Sequence, residues 1–288
     1  VGSLALDLHR LAGPALARAL IAEYQRYSGE VHPSSLAHHY VALEAACRCI
    51  EAGNQVAGGR LEFAAVARMY HRLCLDQLLR ASARIVMVGG GPGSGKSTLA
   101  NELGERFGWT VVSSEDIRRG LTAGMKSAGP ATADQGVYAP EVTDACYDEM
   151  MRQTDLLLTA GHSVVLDASW TENDQREKVR SVAAAHGAAL VEFECHVDLA
   201  TARERVARRL ADGWTLADAT PQVVDHLSDS RDPWPEATGL DSTETIDRTA
   251  RRAVAAIEAV CGAPTAPRVV PPQMDFWGGW IRRTESGN

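Results

Sequence analysis

No stretch of the 288 residues approaches the roughly 18 uninterrupted apolar positions of a membrane span, and no basic-then-apolar leader opens the chain. The sequence therefore predicts a cytoplasmic protein with no membrane partner. A net positive charge is lacking too: 29 Lys and Arg stand against 37 Asp and Glu, a balance of −8. A protein whose main task is to grip nucleic acid carries the opposite sign, which leaves room for a local basic groove or for a nucleic-acid end as substrate. Metal-type cysteine spacing is absent. The six cysteines are scattered except for Cys47-Arg48-Cys49, and on a helix those two point about 200° apart. Reduced, mostly buried thiols are expected. His38-His39 falls in a helical stretch and His196 in the strand-like Leu190–Val197, so neither is assigned a metal. There is no internal repeat and no low-complexity tract. The 45 % hydrophobic fraction is that of an ordinary globular protein, and the length suggests about two domains.

Against these absences stands the run RIVMVGGGPGSGKSTLA at Arg84–Ala100. It contains Gly90-x-x-x-x-Gly95-Lys96-Ser97, a complete phosphate-binding loop (P-loop, or Walker A). Ile85–Val88 is an apolar, β-branched run suited to a buried parallel strand, and Leu99, Leu103 and Phe107 then recur at helical spacing. The glycines let successive N–H groups converge on phosphate oxygens, and the new helix adds its positive N-terminal end. ATP and Mg²⁺ are the expected cofactors. Gly90, Gly91, Pro92, Gly93, Ser94, Gly95, Lys96, Ser97 and Thr98 form the expected cradle. Lys96 would reach the β- and γ-phosphates and the Ser97 hydroxyl would hold Mg²⁺.

Punctuation divides the chain into three parts. Residues 1–82 show only helical periodicity, with helices expected at Leu4–Leu11, Ala15–Tyr27, from Pro33 through Ile50, and at Leu61–Leu79. No catalytic constellation appears in this small all-helical unit. Residues 83–262 alternate strand and helix, with strands expected at Ile85–Gly89, Trp109–Ser113, Ser163–Asp167, Leu190–Val197 and Thr238–Asp241, and a closing helix at Ile246–Val260. Such alternation implies an α/β fold, a parallel sheet with helices on both faces and ligands at the carboxyl ends of its strands. Residues 263–288 carry four prolines, then Phe276-Trp277-Gly-Gly-Trp280, and read as an extended tail whose aromatics dock onto a surface.

Three strands end on polar residues. The second runs into Ser113-Ser114-Glu115-Asp116-Ile117-Arg118. A carboxylate here can accept the proton of an attacking hydroxyl or orient Mg²⁺, and Arg118 can clamp an anion. Ser114 followed by two acids is equally a good helix cap. The third strand ends on Asp167, the usual position of a Walker-B-type acid acting on Mg²⁺ or substrate. The fourth leads through Asp198, an expected N-cap, into a helix where Arg205 and Arg209 share one face. That stripe suits either transferred phosphate or a solvated surface.

With these motifs in hand, residues 84–262 resemble the predicted small-molecule kinase module of the P-loop superfamily related to polynucleotide kinases, zeta toxins and gluconate or shikimate kinases. The resemblance rests on the AAA-type P-loop GGGPGSGKSTLA, on Glu115-Asp116-Ile117-Arg118, on VVLDAS at the third strand, and on the arginine-bearing helix. It implies a five-stranded parallel sheet with a mobile lid centred on Arg203–Thr215 and adenine near Asp241-Ser242-Thr243. Relatives commonly have Ser-Asp where this chain has Ser114-Glu115, which leaves the base open between Glu115 and Asp116. The second lid arginine expected near Gly213 is replaced by Asp212.

The opening run VGSLALDLHRLAGPALARALIAEYQRYSG resembles the C-terminal helices of aminoglycoside-phosphotransferase-like domains, which in actinobacterial proteins are fused ahead of this kinase module. The His-x-Asp catalytic loop and later metal-binding Asp of those domains are missing, and His196-Val197-Asp198 is not that loop. A chain beginning at Val1 fits either the C-terminal portion of a longer polypeptide or a valine start codon read literally. The expected partner is then an upstream lobe of the same polypeptide; no antibiotic phosphorylation follows.

Two functions remain. One is an ATP-dependent kinase passing the γ-phosphoryl to a hydroxyl of a small metabolite, sugar or nucleotide. The other is an ATPase switch signalling through the helical unit and the tail. The kinase is favoured, because Asp167 is followed by Ala168-Ser169 rather than by a second acid, whereas Glu115, Asp116 and Arg118 offer an acceptor-side acid and an anion clamp.

Overall fold

The computed structural model describes residues 1–29, 32–122, 138–211 and 231–262. The sequence readings of the lid beyond Ala211 and of the 263–288 tail fall outside them. The N-terminal region is helical: α1 (Gly2–Ala12), α2 (Pro14–Ser28), α3 (Ser34–Ala57) and α4 (Ala64–Ala81). Helix α3 runs past the expected stop at Ile50 to Ala57, with Ala52 buried, and tolerates Gly53 at a cost of about 1 kcal/mol. The stretch expected to be helical from Leu61 instead opens as a 3₁₀ turn, Leu61–Phe63, ahead of α4. The core here is small: Ala5, Leu6, Val41, Ala45 and Tyr70.

Five strands follow, β1 (Arg84–Gly89), β2 (Thr110–Ser113), β3 (Val164–Asp167), β4 (Ala189–His196) and β5 (Thr238–Asp241), in spatial order β2-β3-β1-β4-β5 and all parallel. These are the five strands that the β-branched runs predict. Alternation decides which face each residue serves. Val86, Val88, Val165 and Phe193 meet α5 (Lys96–Phe107) and α10 (Ile246–Gly262). Ile85, Met87, Val164 and Leu166 meet α6 (Ser114–Thr122), α7 (Pro140–Thr159) and α8 (Asn173–His186). Helix α9 (Leu199–Ala211) follows β4; Asp198 caps it, its Oδ1 accepting from the Thr201 amide at 2.9 Å. The two regions touch where α10 meets α4 and where the Ser35 hydroxyl donates to Gly161 O at 2.7 Å. Among the described residues, no helix is long and apolar enough to cross a membrane.

Candidate active site

The central strand, β1, delivers the chain into the phosphate loop at the top of the sheet. Two glycines there have no substitute. At Gly90 (φ 143°) a Cβ would lie 2.4 Å from Ser94 Oγ and 2.8 Å from Cys195 O. At Gly93 (φ 75°) it would lie 2.5 Å from Ala202 O on α9. A bond from Ser94 N to Gly91 O, 3.2 Å long, closes the turn, and α5 begins at Lys96 with its N-terminal amides facing the loop. Ser94 is buried, with no partner for its hydroxyl.

Register brings Asp167 beside this loop, paired across from Val88 on one side and Ser113 on the other. Asp167 is 4 % exposed, and its Oδ1 has no hydrogen-bond partner among the described residues. Cys195 is buried on β4, on the other side of β1 from Asp167. Burial pushes its thiol up to about 12, Lys96 pulls it down, and Asp167 and Glu194 push it further up. A partnerless buried carboxylate oxygen beside a hydroxyl-bearing phosphate loop fits Mg²⁺, and Asp167 and Ser97 are the residues that could hold it. Just beyond Asp167, Trp170 is fully buried in the left-handed region (φ 51°). Such strain is held in place only by its surroundings, here the Tyr147 hydroxyl that accepts from the Trp170 amide at 3.3 Å.

The β2–α6 junction separates the two acids. Asp116 is exposed and pairs with Arg119 at 3.1 Å. Glu115 is half-buried and, together with Arg118, acts on the buried Cys146 thiol of α7. Arg118 is itself buried, donates to Thr143 Oγ1 at 3.3 Å and lies 4.9 Å from the centre of the Tyr138 ring. On α9, Arg205 reaches the phosphate loop, where its Nη1 donates to Gly93 O at 3.2 Å and its Nη2 to Ser242 O at 2.8 Å. It ties the loop to the β5–α10 turn, in which Asp241 accepts from the Thr243 amide and hydroxyl; those bonds hold its carboxyl below the usual range. Arg209 lies two residues before the end of α9, and its side chain is outside the described set.

Sequence reasoning missed Arg231. Its Nη2 donates to Ser169 O at 3.1 Å, its Nη1 pairs with Glu194, and it lines a cavity of about 330 Å³ with Gly91, Pro92, Ser94 and His196. The signal in the sequence is slight, since Arg231-Asp232-Pro233-Trp234 has its partners 37 to 62 residues upstream.

Comparison with known proteins agrees with the fold of the sheet region. The family model AAA_33, an AAA domain, matches residues 85–234. An uncharacterised protein of Mycobacterium tuberculosis is 33 % identical over 251 residues, covering 87 % of this chain and 50 % of the relative. The chain thus spans about half the length of the curated relatives it matches first. An adenylate kinase of Micrococcus luteus is 27 % identical over 201 residues, 64 % of this chain and 95 % of that enzyme. A solved protein of Chloroflexus aurantiacus with a provisional kinase assignment superposes with a TM-score of 0.50 at 15 % identity, over 62 % of this chain and 97 % of the other. That last likeness establishes the fold alone.

Proposed function

The chain belongs to the AAA_33 family of AAA domains, and from that premise we propose that it is an ATP-dependent kinase, passing the γ-phosphoryl group to a hydroxyl of a small molecule. The observation that carries this reading is the Asp167 oxygen left buried and partnerless beside the phosphate loop. Lys96 and the loop amides hold the phosphates, and Arg205, Arg209 and Arg231 supply positive charge around the phosphate being transferred. Mg²⁺ held by Ser97 and Asp167 neutralises charge on the phosphate oxygens. Glu115 takes the acceptor's proton, with Asp116 as the alternative, and Arg118 holds the rim of the acceptor side. The adenylate kinase likeness favours a small acceptor. The helical region, in this proposal, sits against an upstream phosphotransferase-like lobe, in keeping with relatives about twice as long.

Incubation of a metabolite extract with γ-labelled ATP and the protein, followed by profiling of labelled products, tests the reading. A labelled small molecule absent from the Lys96→Ala control is expected. Release of phosphate with no labelled acceptor would instead favour an ATPase.

A further inference from the structure

Residues 231–234 return the chain to the sheet ahead of β5, and several of their polar groups are tied to distant elements. The Asp232 amide donates to Thr171 O at 2.9 Å, and Asp232 Oδ2 accepts from the Asn173 amide at 2.8 Å. Helix α8 gets no side-chain cap from its own flanking residue, Glu172, so Asp232 caps it from 59 residues away. Arg176, on the first turn of α8, is fully buried with no carboxylate partner among the described residues. Its Nη1 donates to Asp232 O at 3.4 Å, its guanidinium lies 5.3 Å from the Trp234 ring centre, and Nε and Nη2 are left unmatched. A buried cation is costly, so this one is retained for what it holds. Trp234 in turn donates to Glu192 at 2.5 Å and, with Trp170, packs so tightly on Gly89 that a Cβ there would meet them at 2.3 and 3.0 Å.

We infer that Asp232 and Arg176 are positioning residues. They clamp the 231–234 turn onto the segment following Asp167, and through that turn they set the Arg231 guanidinium at the phosphate loop. The sheet-top carboxylate and the arginine across the loop from it are thereby joined into one rigid unit. The ligand that Arg231 meets rests on the kinase reading; the clamp itself rests on the bonds above.

Calorimetric titration with Mg²⁺ and a non-hydrolysable ATP analogue tests the coupling, alongside amide hydrogen exchange on the same samples. Asp232→Ala and Arg231→Ala should each weaken binding about tenfold, and the double variant no more than either alone, because both remove one interaction. Asp232→Asn keeps a cap acceptor and should bind within about twofold of wild type. Asp232→Ala should also speed exchange at Asn173 and at residue 232 about tenfold, since the first amide donates to the Asp232 carboxylate and the second to Thr171 O in the turn that it holds, while Arg231→Ala leaves exchange unchanged. Additive losses in the double variant would overturn the inference. A wild type that does not bind the analogue would sink the nucleotide reading alone. Exchange then decides the clamp: unaltered rates in Asp232→Ala overturn it, and faster rates at both sites uphold it.

Discussion

The two regions of this chain leave opposite things undone. Among the described residues of the sheet region, most buried polar atoms without partners lie on the phosphate loop or along the segment after β3: Ser94 Oγ, then Asp167 Oδ1, Trp170 Nε1, Gln175 Oε1, and Nε and Nη2 of Arg176; Arg84 Nε, at the opposite end of β1, stands apart. In residues 1–81, no described buried side-chain polar atom lacks a partner; Gln77, for one, bonds both His38 and Asp76. That region instead leaves apolar groups in water, with Tyr27 92 %, Leu61 71 % and Leu11 70 % exposed. Orphaned polar groups cost about 1–3 kcal/mol each and are kept where something else satisfies them. Scattered exposed apolar groups are cheap. Chemistry is therefore to be sought in the sheet region.

Lys96→Ala should sharpen this contrast most. Loss of the phosphate-facing cation should lower turnover by about 10²–10³-fold or more, with little change in melting temperature because the side chain is half-exposed. Gly93→Ala should break both at once: a left-handed alanine costs about 1–2 kcal/mol, and its Cβ would press on Ala202 O. Turnover with thermal melting separates the two cases.

Next in size is the acid pair. Glu115→Gln should cost about 10²–10⁴-fold in rate as the general base. Asp116→Asn, whose exposed pair with Arg119 contributes about 0–1 kcal/mol, should leave turnover intact. The reverse pattern moves the base by one residue. If neither changes, the segment is a helix cap.

Asp167→Asn should lower Mg²⁺-dependent turnover about a hundredfold while the melting temperature holds or rises, since a buried, partnerless charge is being neutralised. A collapse in melting temperature with normal activity per folded molecule would make Asp167 structural.

The smallest effect belongs to the helical region. Burial lowers the pKa of His38 below 6.5, against the opposing bond to Gln77. Folded protein then resists a proton that the unfolded chain accepts, so this contribution is complete above pH 6.5 and is lost as pH falls below it. His38→Gln should flatten the decline of melting temperature on acidification from pH 7 to 5, with no effect on turnover.

Much of this was legible beforehand. The strands follow β-branched runs bounded by glycine and polar residues, and the phosphate loop and the Asp198 cap are local patterns. Arg205 was legible as part of a basic face, but periodicity cannot tell whether such a face meets phosphate or, as here, carbonyls of Gly93 and Ser242. Arg176, Arg231 and Asp232 were not legible at all, because each gains its role from a partner more than fifty residues away.

The sheet order also has a consequence for how the protein is made. Strand β1 lies at the centre, yet its registers pair Ile85 with Val164 and Arg84 with Ala189. During synthesis the phosphate loop emerges long before either neighbour of its strand exists. Nucleotide can stabilise the chain only after β4 is complete, so folding waits on distant contacts and is slow. Until β3 is made an apolar strand stands with both edges open, and until β4 is made one edge stays open, so chains cut short before His196 should aggregate rather than fold.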